Sequence, residues 1–166
     1  MKQTKPFLCL LFFILIFSIA NAFAASDRLG DLKLSIVNVS ASGRITVRMT
    51  NSSRRAPLRI WMAGNSWGAL KWKVVIIRNG RVTTVFEDPD GFLFSKNTPQ
   101  FEELAPGAHI DRRLDVNGEY WSTTIGGKVH FQPGEQLVIT YDILPEQEAR
   151  DRHVWFGAAS ASTVSK

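Results

Sequence analysis

Hydrophobic and polar positions alternate with period two along most of the chain after Asp27. The clearest example places Ile45, Val47 and Met49 on one side of a segment and places arginines and threonines between them. Segment 137–143 repeats this pattern near the end of the chain. Such alternation is typical of strands with one buried face, and a helical stripe is not recognisable after Asp27. The pattern therefore predicts eight or nine short antiparallel strands.

Residues that favour turns separate the alternating segments. Asn79-Gly80 lies between the apolar segments 74–78 and 81–86. Because Asn-Gly accepts the positive φ angles of a type I′ turn, this arrangement predicts a β-hairpin. The unbroken apolar run from Val74 to Ile77 predicts a strand that is covered on both faces or lies near the middle of its sheet.

Three further features concern single elements. The apolar face of the first strand switches at Ile36 and Val37, which indicates either a β-bulge or the end of a strand. The polar segment 145–151 is compatible with one helical turn. Residues 161–166 are predicted to form a flexible, frayed tail.

The turns that introduce several strands support a resemblance. Leu104–Gly107 and Phe131–Glu135 each contain Pro-Gly and each precede a strand, and Ala56–Ile60 follows the strand that ends near Thr50. Over about residues 30–160, this outline resembles the immunoglobulin-like β-sandwiches of exported bacterial proteins. It is distantly similar to the intracellular proteinase-inhibitor family, which shares the Leu-x-Pro-Gly turn. The resemblance implies an all-β, two-sheet immunoglobulin-like sandwich. The chain lacks the Cys-Trp-Cys spacing of antibody domains, which excludes a disulfide-bearing domain of that type.

The N-terminal segment has the three parts of a secretory signal peptide. Lys2 and Lys5 precede the apolar run Phe7–Ile19, and small residues follow at the spacing that signal peptidase requires. Cleavage after Ala22 and cleavage after Ala24 fit equally well. We therefore predict an exported protein, periplasmic or extracellular, with no stable membrane span after cleavage. An uncleaved N-terminal anchor is the alternative.

Cleavage changes the composition of the protein. The full chain has 20 Lys and Arg against 15 Asp and Glu, a net charge of +5. Loss of residues 1–24 removes two lysines and the single cysteine, Cys9, which leaves a net charge of +3. Residues 25–166 are enough for a single β-sandwich domain that is stabilised by its core rather than by a disulfide. The remaining basic residues are scattered, and we therefore predict no nucleic acid as a partner.

One motif suggests catalysis. Gly64–Gly68 matches the G-x-S-x-G nucleophile elbow, with Ser66 at the position of the nucleophile. That motif requires a strand, a sharp turn and then a helix, whereas segment 70–74 has the pattern of another strand. A loop between strands is therefore the preferred interpretation, and a small hydrolase that uses Ser66 is the less favoured alternative.

Metal-ligating residues are not grouped in the sequence. His109, His130 and His153 occur singly, without the spacings typical of zinc sites. Glu87–Gly91 lacks the length and terminal glutamate of an EF-hand loop, so it is interpreted as a turn. We predict no metal site and no cofactor, although a site assembled from distant strands stays open.

Tryptophans are the strongest candidates for a binding surface. Trp72 shares its parity with Val74 and is predicted to lie in the core, whereas Trp61 has the opposite parity to its apolar neighbours. Trp67 falls in the loop that contains Ser66, and Trp121 falls near a strand edge. Exposed tryptophans stack on sugar rings or anchor protein partners. Trp61, Trp67 and Trp121 are therefore the candidate residues for ligand or partner binding, and filling of the core is the alternative.

The sequence thus favours an exported, non-enzymatic binding or protein-interaction module, whose partner is a protein or a glycan. A protease inhibitor that acts through an inter-strand loop is the first alternative. The small hydrolase is the second. The ligand, the order of the strands and the oligomeric state stay open at this point.

Overall fold

The computed structural model describes residues 31–62, 71–87, 98–119, 121–124 and 126–165. The signal peptide predicted over residues 1–24 lies outside them. Within the described ranges, no helix is long and apolar enough to cross a membrane.

The described residues form ten strands and one short helix. They are β1 (Leu32–Val39), β2 (Arg44–Asn51), β3 (Leu58–Trp61), β4 (Trp72–Arg78), β5 (Arg81–Glu87), β6 (Phe101–Leu104), β7 (His109–Asp115), β8 (Trp121–Thr123), β9 (Gln136–Ile143), α1 (Gln147–Asp151) and β10 (Gly157–Val164). The sheet orders are β1-β2-β7, β10-β9-β4-β5-β8 and β3-β6, and all strand pairs within these sheets are antiparallel. The all-β, antiparallel fold class is confirmed. In the described ranges the strands number ten in three sheets, where the sequence predicted eight or nine in two.

The hairpin predicted at Asn79-Gly80 is confirmed. It connects β4 and β5, and the φ angles of 48° at Asn79 and 72° at Gly80 are both positive, as a type I′ turn requires. Strand β4 pairs with β5 on one side and with β9 on the other, so it lies inside the largest sheet. Val74 and Ile76 are buried and the alternate residues are half-buried, which explains the unbroken apolar run.

Three local predictions have different outcomes. The register of β1 on β2 shifts between Ile36 and Asn38, so the switch of face near Val37 is a β-bulge and not a strand end. The helical turn predicted in segment 145–151 is confirmed as α1. The tail predicted over residues 161–166 needs correction, because β10 continues to Val164 and pairs with β9 along its whole length. Small side chains at these positions hid a strand that is recognisable only from its partner.

The core lies between the inner faces of the sheets. Trp72 of β4 packs against Tyr141 of β9, with ring centroids 4.7 Å apart, and Trp155 stacks on the same tyrosine at 6.0 Å. All three rings are almost completely buried. The prediction that Trp72 belongs to the core is therefore confirmed.

Ion pairs tie β7 to its neighbours. Arg48 of β2 forms a bidentate pair with Asp111, at 2.8 and 3.0 Å. The hydrogen bonds from Arg48 hold the pKa of Asp111 below its ordinary value. Arg112 of β7 falls on the same side of the strand as Leu114, and its Nη2 lies 2.6 Å from Oε1 of Glu102 on β6. An arginine at this position therefore joins the two-stranded sheet to β7.

Candidate functional site

The inner face of the largest sheet ends in a row of charged residues. Leu137, Ile76 and Thr83 lie opposite one another on β9, β4 and β5. One row further toward the hairpin turn, Arg78 lies directly opposite Arg81. Glu135, immediately before β9, forms an ion pair with Arg78. The apolar core therefore stops at this end of the sheet, and charges take its place.

Glu135 is the fixed point of this charged row. Its side chain is 3% exposed, whereas that of Arg78 is 54% exposed. One carboxylate oxygen accepts a hydrogen bond from Nε of Arg78, and the other accepts one from the backbone N–H of Gln132 at 2.6 Å. A carboxylate this deeply buried needs such partners, because isolation from water disfavours its charged form. Arg78 is therefore committed to Glu135.

The tip of β5 reverses the usual pattern of a half-buried strand. Arg81 and Thr83 lie on the face that carries the buried Val85, whereas Val82 points away from it and is 61% exposed. Arg81 also lies directly opposite another arginine, which is an unfavourable cross-strand pair. Places where a chain departs from its own local preferences are often functional.

A second segment faces this hairpin. Exposed and buried residues alternate along it: Lys128 and His130 are exposed, whereas Val129 and Phe131 are buried. His130 therefore points away from the buried side on which Val129 and Phe131 lie. Among the described residues, this segment belongs to no strand, and the N–H of Phe131 donates to the carbonyl of Ala41 at 3.2 Å.

Asn117 holds the segment in place. Its side-chain N–H groups donate to the backbone carbonyls of Val129, at 2.7 Å, and Ser42, at 3.0 Å. Its side-chain oxygen accepts the N–H of Val129 at 2.6 Å. Asn117 thus imitates a strand partner at Val129 and determines where the flanking Lys128 and His130 lie.

The hairpin and this segment enclose a groove of about 770 Å³, which we name the basic groove. Its described lining residues are Ile76, Arg78, Asn79, Arg81, Thr83, Lys128, Val129, His130, Gln132 and Glu135. With three cations and one carboxylate, this lining carries a net charge of +2 when His130 is neutral. Within the described part of the chain, Arg81 and Lys128 form no ion pair and His130 forms no hydrogen bond. The groove therefore offers two uncommitted cations beside an apolar floor.

Replacement of Asn117 by alanine is expected to release the segment that carries Lys128 and His130. The N–H of Val129 loses its acceptor, so its hydrogen exchange is expected to accelerate by at least about tenfold. Amide exchange followed by NMR measures this change directly. The exchange of Val47 in the core serves as the internal reference. Unchanged exchange at Val129 would contradict the role given to Asn117.

The three tryptophans proposed from the sequence do not form a patch among the described residues. Trp61 is only 4% exposed, which corrects its predicted place on the surface. Its parity indicated that it faces away from Ile60, but both sides of β3 are covered at this point. Trp121 is half-buried against the core. Trp67 lies outside the described residues.

The other candidates are dispersed. His109 begins β7, His130 lines the basic groove, and His153 follows α1. In the described ranges, no three His, Cys, Asp or Glu side chains are grouped so as to hold a metal ion. Ser66 and the turn residues after Glu87 lie outside the described residues.

The basic groove itself was not predicted from the sequence, although two signals for it were present. Arg81 and Thr83 surround a valine in a segment that was interpreted simply as a strand arm. Lys128 and His130 alternate with apolar residues after a pair of glycines. Neither signal shows by itself that these two segments meet.

Comparisons with protein-family models, curated proteins and solved structures found no match to this chain.

Proposed function

We propose that the protein is an exported, non-enzymatic binding module whose basic groove binds an anionic ligand. The observation that carries this proposal is the presence of Arg81 and Lys128, both without an ion-pair partner in the described chain, on one groove. Arg78 cannot serve in the same way, because it already neutralises Glu135. An anion is the ligand that such a pair of cations attracts.

The proposal includes an immunoglobulin-like arrangement of the strands. The order β10-β9-β4-β5 corresponds to strands G-F-C-C′ of a variable-type domain, and β1-β2-β7 corresponds to A-B-E. Trp72 on β4 packs against Tyr141 on β9, in agreement with the buried tryptophan that such domains carry on strand C. In this arrangement, the basic groove lies at the C–C′ turn, at one end of the sandwich.

The position of the groove favours binding over a purely structural role for its cations. A structural arginine on an inner face is expected to have an acidic partner, as Arg112 has in Glu102. Arg81 has none in the described chain and lies opposite a like charge. A like-charged pair in direct opposition works against the stability of a sheet. Binding of an anion gives Arg81 the partner that the protein itself does not supply.

An array of neutral and anionic glycans tests the proposal. We expect the protein to bind members that carry carboxylate or phosphate groups and to ignore neutral ones. Combined replacement of Arg81→Gln and Lys128→Gln is expected to weaken binding by at least about tenfold, since each charge-assisted hydrogen bond contributes about 1.5–3 kcal/mol. Affinities from surface plasmon resonance measure this change.

Lys73→Gln is the matched control for charge. Lys73 lies on β4, as Arg78 does, but it is exposed on the opposite face of the sheet. Its replacement removes one positive charge and is expected to leave binding unchanged. Equal weakening by Lys73→Gln would show nonspecific attraction and would contradict the proposal. Binding confined to neutral glycans and dependent on Trp121 would instead favour the aromatic surface predicted from the sequence.

A further inference from the structure

We propose that the anionic group in the basic groove is a phosphate monoester, attached to a small polar body such as glycerol or a sugar. This inference rests on the proposed function, because it names the class of ligand for the same groove. The source of the monoester is either a soluble metabolite or the headgroup of a lipid, and the experiment below distinguishes the two.

Charge balance favours phosphate over carboxylate. The described lining of the groove carries a net charge of +2. A phosphate monoester carries a charge of about −1.5 to −2 near neutral pH, whereas a carboxylate carries only one negative charge. A carboxylate would leave one cation in the groove unneutralised, and a phosphate monoester would leave none.

The donors in the groove also suit phosphate. Arg81 offers a planar fork of N–H groups, Lys128 offers an ammonium group, and His130 offers a ring nitrogen. Arg81 comes from the hairpin, and Lys128 and His130 come from the facing segment, so the groove has donors from both of its sides. A phosphate monoester has three terminal oxygens that can each accept a hydrogen bond, whereas a carboxylate has two.

The size of the groove shows that phosphate alone does not fill it. Its volume of about 770 Å³ lies in the range of small-molecule sites, which is about 300–1,000 Å³. Apart from the charged residues and His130, the described lining consists of Ile76, Asn79, Thr83, Val129 and Gln132. These residues offer two aliphatic side chains, two amides and one hydroxyl group. The one aromatic ring in the described lining is the imidazole of His130, which is counted above among the donors to the phosphate. Phe, Tyr and Trp are absent from the described lining, so it offers no large ring to stack on a base, and a compact polyol body suits the space.

Three small probes of matched structure test the inference by isothermal titration calorimetry. Glycerol 3-phosphate carries the monoester, its methyl diester keeps the tetrahedral group with a single charge, and glycerate carries a carboxylate. We expect glycerol 3-phosphate to bind at least about tenfold more tightly than either of the others. Arg81→Gln is expected to abolish this preference, and Lys73→Gln is expected to preserve it. The melting temperature of each variant shows whether it is folded.

Vesicles distinguish the two sources. Phosphatidic acid presents a phosphate monoester at a membrane surface, whereas phosphatidylglycerol presents a diester. The source is a lipid headgroup if the protein co-sediments with phosphatidic acid vesicles much more strongly than its affinity for glycerol 3-phosphate predicts. Tight binding of glycerol 3-phosphate without co-sedimentation would identify a soluble metabolite.

The outcomes separate this inference from the function on which it rests. Equal affinity for glycerol 3-phosphate and glycerate, still lost in Arg81→Gln, would overturn the phosphate inference and leave the anion-binding groove intact. If none of the probes and neither type of vesicle binds saturably, the phosphate inference is overturned. If the protein also fails to bind the anionic members of the glycan array, the proposed function is overturned as well.

Discussion

Replacement of Arg78 by methionine is expected to lower the free energy of unfolding by about 3 kcal/mol, because it leaves a buried carboxylate without its cation. Glu135 is 3% exposed, and only the N–H of Gln132 remains as its partner after the change. Methionine keeps most of the aliphatic stem, so packing changes little. Urea denaturation followed by circular dichroism measures the difference.

Replacement of the carboxylate is expected to lower the free energy of unfolding much less than replacement of the arginine does. Glu135→Gln removes the charge from the buried side and leaves Arg78, which is 54% exposed and stays hydrated. Glutamine also keeps an oxygen that can accept a hydrogen bond. We expect the free energy of unfolding to fall by about 1 kcal/mol, which is the usual contribution of one hydrogen bond.

The difference between the effects of Arg78→Met and Glu135→Gln shows which member of the ion pair depends on the other. Arg48→Met serves as a control, because Nε of Arg48 also donates to a carboxylate, but that of Asp111 is 39% exposed whereas that of Glu135 is 3% exposed. Its effect is expected to be clearly smaller than that of Arg78→Met, since water replaces the lost partner. If Arg78→Met and Glu135→Gln lower the free energy of unfolding equally, the description of Glu135 as the buried, fixed member of the pair is contradicted.

Asn51→Ala is expected to destabilise the protein by a similar amount, about 3 kcal/mol, because several buried polar groups lose their partners together. Asn51 ends β2 and is completely buried. Its side-chain N–H groups donate to the carbonyls of Ala56, at 3.0 Å, and Leu104, at 2.9 Å, and its oxygen accepts the N–H of Ser53 at 2.9 Å. The side chain thereby attaches the two-stranded sheet to β2.

Asn38→Ala provides the control for this prediction. Asn38 lies on β1 in the same sheet, but its side chain is exposed. Its replacement is expected to change the free energy of unfolding by less than about 0.5 kcal/mol. Thermal and urea unfolding of the two variants, compared side by side, give the difference. Comparable stability of Asn51→Ala and Asn38→Ala would refute the role of Asn51 as a buried connector.

Local features of the fold could be predicted from the sequence because they depend on neighbouring residues. Asn79-Gly80 determined its own turn, since few other dipeptides accept two positive φ angles. The alternation of Ile45, Val47 and Met49 determined which face of β2 is buried. The bulge near Val37 was visible as a change of face, but only the partner strand distinguished it from a strand end.

Features that depend on distant residues could not be predicted. The parity of Trp61 indicated the side to which it points, but not that another part of the protein covers that side. β10 carries mostly small side chains, and its pairing with β9 identifies it as a strand. The basic groove needs Arg81 from the hairpin and Lys128 from a segment more than 40 residues later, which only the tertiary structure brings together.

The most direct test of the central claim is an NMR titration of the ¹⁵N-labelled protein with glycerol 3-phosphate. We predict saturable shifts of the backbone amides of Arg81, Lys128 and His130, with little change at Lys73 on the opposite face of the sheet. The same shifts are expected to disappear in the Arg81→Gln and Lys128→Gln double variant. Shifts confined to Trp121, or no saturable shift in the basic groove at millimolar ligand, would contradict the account.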